Sequence, residues 1–168
     1  MTQPQKADML AVFKASAPAI RKLASKHVNI ERLMSLALEA RARTPLLAQC
    51  SVESMVQFCK TCAQWGTDRV GAGGVWPVPF KNKTTQQYEM QAIPDWRLLI
   101  GKAKSAGVLT HASADIVRDG DEFDYERGLL PSLTHRPTLG NQKPVIAAYC
   151  VFVLPGGTRD FVVMDGEE

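Results

Sequence analysis

Between Pro77 and Gly107 the chain sets five cations, Lys81, Lys83, Arg97, Lys102 and Lys104, against two carboxylates, Glu89 and Asp95. Cations at this density can neutralise phosphates, and the counterions released then drive sequence-independent binding of a nucleic-acid backbone. On a helix, Arg97, Gly101 and Lys104 recur at i, i+4 and i+7 and form one stripe. A glycine between two cations lets a phosphate chain approach the helix backbone closely. Trp96, Ile100, Ala103 and Gly107 form the adjacent stripe. That stripe reads as the core side of an amphipathic helix, with base stacking as the alternative role for Trp96. Lys81 and Lys83 fall on a hairpin tip, a place for phosphate contacts and equally for solubilising charge.

Two other groups of residues invite chemistry. Asp115, Asp119, Asp121, Glu122, Asp124 and Glu126 could supply carboxylates to a divalent metal. Their alternation with Phe123 and Tyr125 reads more simply as the solvated face of a strand, and their spacing fails the EF-hand ligand pattern. Cys59 and Cys62 form a lone C-x-x-C. A structural zinc needs four ligands, and neither a second cysteine pair nor a spaced histidine pair exists among His27, His111 and His135. The pair lies within a helical apolar pattern, so both thiols are expected in the core. Gly71-Ala72-Gly73-Gly74 precedes a strand instead of opening a helix, and no Gly-Lys-Ser/Thr follows it, so it is no phosphate-binding loop. Nucleophile-elbow, zincin and deaminase signatures are absent from the sequence. The chain is therefore not expected to be an enzyme, and no cofactor is expected.

The elements that must position these residues follow from hydrophobic period. Met9, Leu10 and Phe13 begin a short apolar face; Ile30, Leu33, Met34, Ala37 and Leu38 mark a longer helix that ends in Arg41 and Arg43 before Pro45. Ser51 is a candidate N-cap for a third helix through Gln64, with Met55, Phe58, Cys59 and Cys62 inward and Gly66 closing it. The period then changes to that of strands. Val75–Phe80 and Gln86–Ile93 flank a polar turn, and the two prolines of the first strand place it at an edge. Pro94 is expected to open a helix that runs to Gly107. Unpaired amides and the positive helix end would then lie beside Arg97, for which a structural ion pair with Asp95 or Glu89 is the alternative role. A strand over 108–118, turned by Asp119-Gly120, is expected to be followed by a returning strand over 121–127 and a long loop over 128–144. Val145–Leu154 is apolar on both faces, as a central strand should be, and Pro155-Gly156-Gly157 turns it into 158–164. The fold class is α+β: N-terminal helices followed by antiparallel β-hairpins with an intervening helix. A helical region over 1–50 and a core over 51–168 are expected within one domain.

Charge and composition agree with a nucleic-acid partner. Residues 1–110 hold 15 basic and 7 acidic residues, a balance of +8, while 111–168 hold 5 and 10, a balance of −5. Such a chain can offer a cationic face to a polyanion. No apolar run approaches the roughly 20 residues of a membrane helix. Met1 to Asp8 has neither a basic nor an apolar signal region, so a cytoplasmic protein is expected.

The stretch VWPVPFKNKTTQQYEMQAIPDWRLLIGKAKSAG, followed by DIVRDGDEFDYERGLLPSLTHRP, resembles the core of the RecT family of phage single-strand annealing proteins. Several segments coincide in order over about Ser51 to Met164: the Val-Pro-Phe-Lys-Asn-Lys strand, the Gln-Tyr-Glu-Met-Gln strand and helix, the Gly-Asp-Glu-Phe-Asp-Tyr-Glu stretch, and Leu133-Thr-His-Arg-Pro. Asp95-Trp96-Arg97-Leu98 stands where the family has Gly-Tyr-Arg-Gly, so the arginine and an aromatic are kept while a carboxylate replaces a glycine. The resemblance implies ATP-independent annealing of complementary strands in homologous recombination and repair, in the cytoplasm of a bacterial host. It also implies an oligomer, ring or helical filament, on single-stranded DNA and annealed duplex. A phage exonuclease and a host single-strand binding protein are the further partners it suggests, as are additional helices beyond Glu168. On this reading the DNA-binding residues are Lys81, Lys83, Trp96, Arg97, Lys102 and Lys104. Two rivals remain: a metal-dependent, nuclease-like phage enzyme using the acidic 115–126 hairpin, and a phage protein–protein adaptor.

Overall fold

A computed structural model of the chain describes residues 3–166. Packing divides it into two compact units, Met1–Leu99 and Ile100–Glu168, with the division inside a helix. The first holds α1 (Gln3–Ala15), α2 (Ala17–Arg21), α3 (Ile30–Arg43), α4 (Pro45–Ala48), α5 (Val52–Gln64), β1 (Val75–Lys81) and β2 (Tyr88–Pro94). Then α6 (Trp96–Ser105) leads into the second unit, which holds β3 (His111–Arg118), β4 (Glu122–Glu126), β5 (Ser132–Arg136), β6 (Val145–Val153) and β7 (Arg159–Asp165). The architecture is α+β, with helices first and antiparallel strands after them.

The three helices legible in the apolar period form as their ends dictate. Asn29 caps α3, its Oδ1 accepting from Arg32 N at 2.9 Å. Ser51 caps α5, its Oγ accepting from Ser54 N at 3.2 Å. Arg41, which the sequence placed as a charge at a helix end, is instead buried, and its Nη2 donates to Ala48 O at 2.6 Å, tying α3 to α4. The short helices α2 and α4 each carry a proline in their first turn and too few residues to show a period.

Phe13, Ile20, Leu33, Met55, Phe58, Cys59 and Cys62 make the centre of one apolar cluster that reaches Val75 and Met90 of the hairpin. The helices before residue 50 thus share a core with α5 and the first hairpin, with no break in packing at that point. All four cysteines are free thiols. Burial pushes Cys59 upward, with Cys62 beside it adding to the shift, and pushes Cys62 to about 12, so both stay neutral core residues at any physiological pH.

The pair β1–β2 forms a two-stranded antiparallel sheet in register from Val75↔Pro94 to Lys81↔Tyr88. The N–H of Val75 turns away from β2 to reach Arg69 O at 3.0 Å. Strand alternation points positions 77 and 79 the same way, and both are prolines, so the middle of this edge offers no donor to an incoming strand. Pro94 closes β2 instead of opening α6. Asp95 takes the capping position: its carbonyl accepts from Leu99 N at 3.2 Å and its Oδ1 from Arg97 N at 2.9 Å.

In the second unit β3, β6 and β7 form one sheet with β6 in the middle, as the two-sided apolar pattern of β6 requires. The expected β3–β4 hairpin does not form. After the Asp119-Gly120 turn, β4 leaves β3 and pairs with β5, a strand inside what reads as a loop over 128–144, while β3 pairs with β6. The cause is Asp121. Its Oδ1 accepts from Thr138 N and Asn141 Nδ2, each at 2.9 Å, and its Oδ2 accepts from Arg118 N at 2.9 Å. That carboxylate closes the turn and gathers the following loop, leaving an edge of β3 for the more apolar β6.

Candidate nucleic-acid interface

The hairpin tip is an ordered turn built on Asn82. Its Oδ1 accepts from Thr84 N at 2.9 Å and Thr85 N at 3.2 Å, its carbonyl accepts from Gln86 N at 2.8 Å, and its Nδ2 donates to Glu89 Oε1 at 2.8 Å. Gln86 adopts φ 59°, which the turn requires. Lys83 is displayed on this turn and Lys81 at the last position of β1, both exposed. Among the described residues none of Lys81, Lys83, Lys102 and Lys104 is ion-paired.

Asp95 organises the start of α6. Its side chain is only 4% exposed, while that of Arg97, 3.5 Å away from Nη1 to Oδ2, is 56% exposed. Trp76 Nε1 donates to the same Oδ2 at 3.0 Å. The amide of Arg97 first, then the indole N–H and the guanidinium, hold the Asp95 carboxyl below the usual carboxylate range. The Arg97 guanidinium lies over the Trp96 ring at 4.4 Å. One buried carboxylate therefore orients a guanidinium and an indole together. It also takes up the Arg97 amide at the helix N-terminus, so that amide is not free for an anion.

Trp96 is 59% exposed, which overturns its reading as a core residue. No residue of α6 is fully buried; Leu98, not Trp96, packs against the core of the first unit. On α6, Arg97, Gly101 and Lys104 are all exposed, as the stripe requires, and Lys102 is exposed too. Lys102 and Lys104 lie on the part of α6 that belongs to the second unit. A groove of about 610 Å³ between α5 and β2 is lined by Glu53 and Glu89 with no cation, and is unsuited to phosphate.

The acidic run does not behave as one solvated face. The side chains of Asp121 and His135 are each 3% exposed, with His135 Nε2 3.5 Å from Asp121 Oδ2 and His135 Nδ1 3.1 Å from Tyr149 Oη. Donation by Thr138 N, then by Asn141 and Arg118, pulls the Asp121 carboxyl far below the usual range. Its oxygens are committed to protein donors, so one of the six carboxylates of the metal-dependent reading is already satisfied. Among the described residues no three His, Cys, Asp or Glu side chains converge on a metal position. None of the described helices is long and apolar enough to cross a membrane.

Sequence reasoning offered Asp95 or Glu89 as the ion-pair partner of Arg97, and the structure selects Asp95; what it missed is that Asp95 also caps α6 and binds Trp76. The signal was present: an aspartate directly before an amphipathic helical run is a capping signature.

A family model described as the RecT family matches residues 31–168. Over 142 residues the chain is 34% identical to Protein RecT of Escherichia coli (strain K12), covering 83% of this chain and 53% of that relative. The chain thus spans about half the length of the curated relative it matches. By the family model, which matches most of its length, the chain belongs to the RecT family.

Proposed function

We propose that this chain binds single-stranded DNA and anneals complementary strands without ATP, as an oligomer assembled on the DNA. The observation that carries the reading is the first turn of α6, where Asp95 holds an exposed arginine in the chain of a RecT family member. The unpaired lysines of the hairpin tip and of α6 extend the same cationic character. The mechanism is physical, not covalent: phosphates are neutralised so that two strands approach, while base edges stay free to pair. The two prolines in the middle of the β1 edge disfavour self-association by strand addition there.

Fluorescence anisotropy with an unstructured single-stranded oligonucleotide, across a salt series and with and without EDTA, tests the reading. Arg97→Ala weakens binding by about 1–3 kcal/mol, the scale of a charge-assisted contact. Arg97→Lys recovers only part, because the forked donor is lost. Lys81→Ala with Lys83→Ala lowers the log–log salt slope by roughly 0.7 per phosphate contact removed. Unchanged affinity and slope in both variants, with thermal stability lost in Arg97→Ala, would make Arg97 a structural partner of Asp95. Binding that vanishes with EDTA would favour a metal-dependent protein.

A further inference from the structure

The outward face of the β1–β2 hairpin is apolar yet uncovered. On β1 every second residue, Trp76, Val78 and Phe80, points away from the core, and Ile93 pairs with Trp76 from the neighbouring strand. Trp76 and Phe80 are 46% and 48% exposed. A hydrophobic residue set this way usually waits for an occupant.

Trp76 is held in place by a hydrogen bond and lies near the Gly71 turn. Its Nε1 donates to the buried Asp95 carboxylate at 3.0 Å, and a Cβ built on Gly71 would lie 3.7 Å from its six-membered ring. Gly71 has φ 95°, so its backbone reaches this position as few other residues can. An indole tied by its N–H to a buried carboxylate but open on its surface is a preorganised plane, with less rotamer freedom left to lose on binding. Cations bracket this row: Lys81 and Lys83 follow Phe80 at the tip, and Arg97 shares the carboxylate that holds Trp76.

We infer that the outward face of this hairpin is a base-stacking platform for single-stranded nucleic acid, with Trp76 as its anchor and Phe80 as a second plane. The inference rests on the DNA-binding reading above and adds to it the residues that touch bases instead of phosphates. Charge decides between occupants: a polyanion with flat apolar faces satisfies the aromatics and the flanking cations together. Positions i and i+4 of a strand lie about 13 Å apart, well beyond the 3.4 Å rise of bases in one duplex strand. Trp76 and Phe80 therefore stack on bases that are not stacked on each other. A strand stretched in this way shows its pairing edges to a complement.

The test compares the 168-residue chain and its variants on an oligothymidine and on an abasic oligonucleotide of equal length, which keeps the phosphates and removes the bases. The unaltered chain binds oligothymidine more tightly and its tryptophan fluorescence is quenched. Trp76→Leu keeps apolar bulk but no ring, and loses about tenfold on oligothymidine, the size of one base–aromatic stack. It leaves the abasic affinity and the salt slope unchanged. Trp76→Phe, which restores a ring without the Asp95 bond, recovers most of the loss and shows that folding is not the cause. Equal binding of both oligonucleotides by the unaltered chain overturns the platform while leaving the phosphate reading intact. No binding of either overturns both. Loss of self-assembly in Trp76→Leu with unchanged oligothymidine affinity assigns the face to a second copy of the chain and also overturns the inference.

Discussion

The two units are held together by different physics. In Met1–Leu99 a continuous apolar cluster joins all five N-terminal helices to the hairpin, and the aromatic groups on its surface are left over from folding. In Ile100–Glu168, Val117 and Phe161 are the buried apolar side chains among the described residues. There the ladder of β3, β6 and β7 is joined to the β4–β5 hairpin by Asp121 and by rings: Phe123 stacks on Tyr149 at 5.8 Å, and His135 meets Tyr149 edge-on at 5.4 Å. A unit with an apolar core can carry exposed aromatics at its surface without loss, because non-directional burial does not depend on them. A unit built on polar geometry has little such freedom, since each buried donor or acceptor must keep its partner.

The sharpest break in the comparison is Phe58→Ala. Phe58 is 1% exposed at the centre of the first unit, so the lost transfer energy and the cavity together cost about 3–5 kcal/mol. All three tryptophans, Trp65, Trp76 and Trp96, lie in Met1–Leu99, so tryptophan fluorescence during urea unfolding reports that unit. Its midpoint falls, while amide protection of β3, β6 and β7 stays close to that of the unaltered chain. Equal loss of protection in both would show that the two units fold as one.

Acid reverses the comparison. The folded pKa of Asp121 is depressed, so its contribution is present above the unfolded value of about 3.9 and is lost as pH falls below that toward the folded value. Amide protection factors in β4 and β5 therefore decline below about pH 4. Asp121→Asn, which cannot titrate and offers one acceptor oxygen where two are used, lowers protection near neutral pH and flattens the acid decline. A variant that keeps the acid decline would place its cause in another carboxylate.

Legibility in the sequence follows the same division. Where burial drives folding, period announces it: the ends of α3 and α5, the inward set Met55, Phe58, Cys59 and Cys62, and the central place of β6 are all readable from spacing. Where one polar side chain decides, spacing misleads. Asp121 sits in an alternation that looks like a solvated strand, yet it redirects β4 from β3 to β5. Asp95 reads as an ion-pair partner of Arg97 and no more, yet it also caps α6 and positions Trp76. The candidate cations were visible as composition. Their display on a turn built by local Asn82 hydrogen bonds follows from the polar tip, whereas the exposure of Trp96 depends on packing that no local pattern encodes.

The smallest expected effect separates folding from function at one position. Gly101 is helical and exposed, and a Cβ added there meets nothing within 4 Å. Its carbonyl accepts from Ser105 Oγ at 2.9 Å, a bond that an alanine backbone would keep. Glycine inside a helix costs roughly 0.5–1 kcal/mol relative to alanine, so Gly101→Ala stabilises α6 by about that much. The fold thus gains nothing from glycine here. If a phosphate packs against the stripe between Arg97 and Lys104, the added methyl stands in its way. Affinity for single-stranded DNA then falls a few-fold even as amide protection in α6 rises, and the two observables move in opposite directions. Ordinary helix energetics would move only the second. A Gly101→Ala chain with firmer α6 amides and unaltered DNA affinity would remove the close approach of phosphate at this point, leaving Arg97 and the lysines to act through longer side-chain contacts alone.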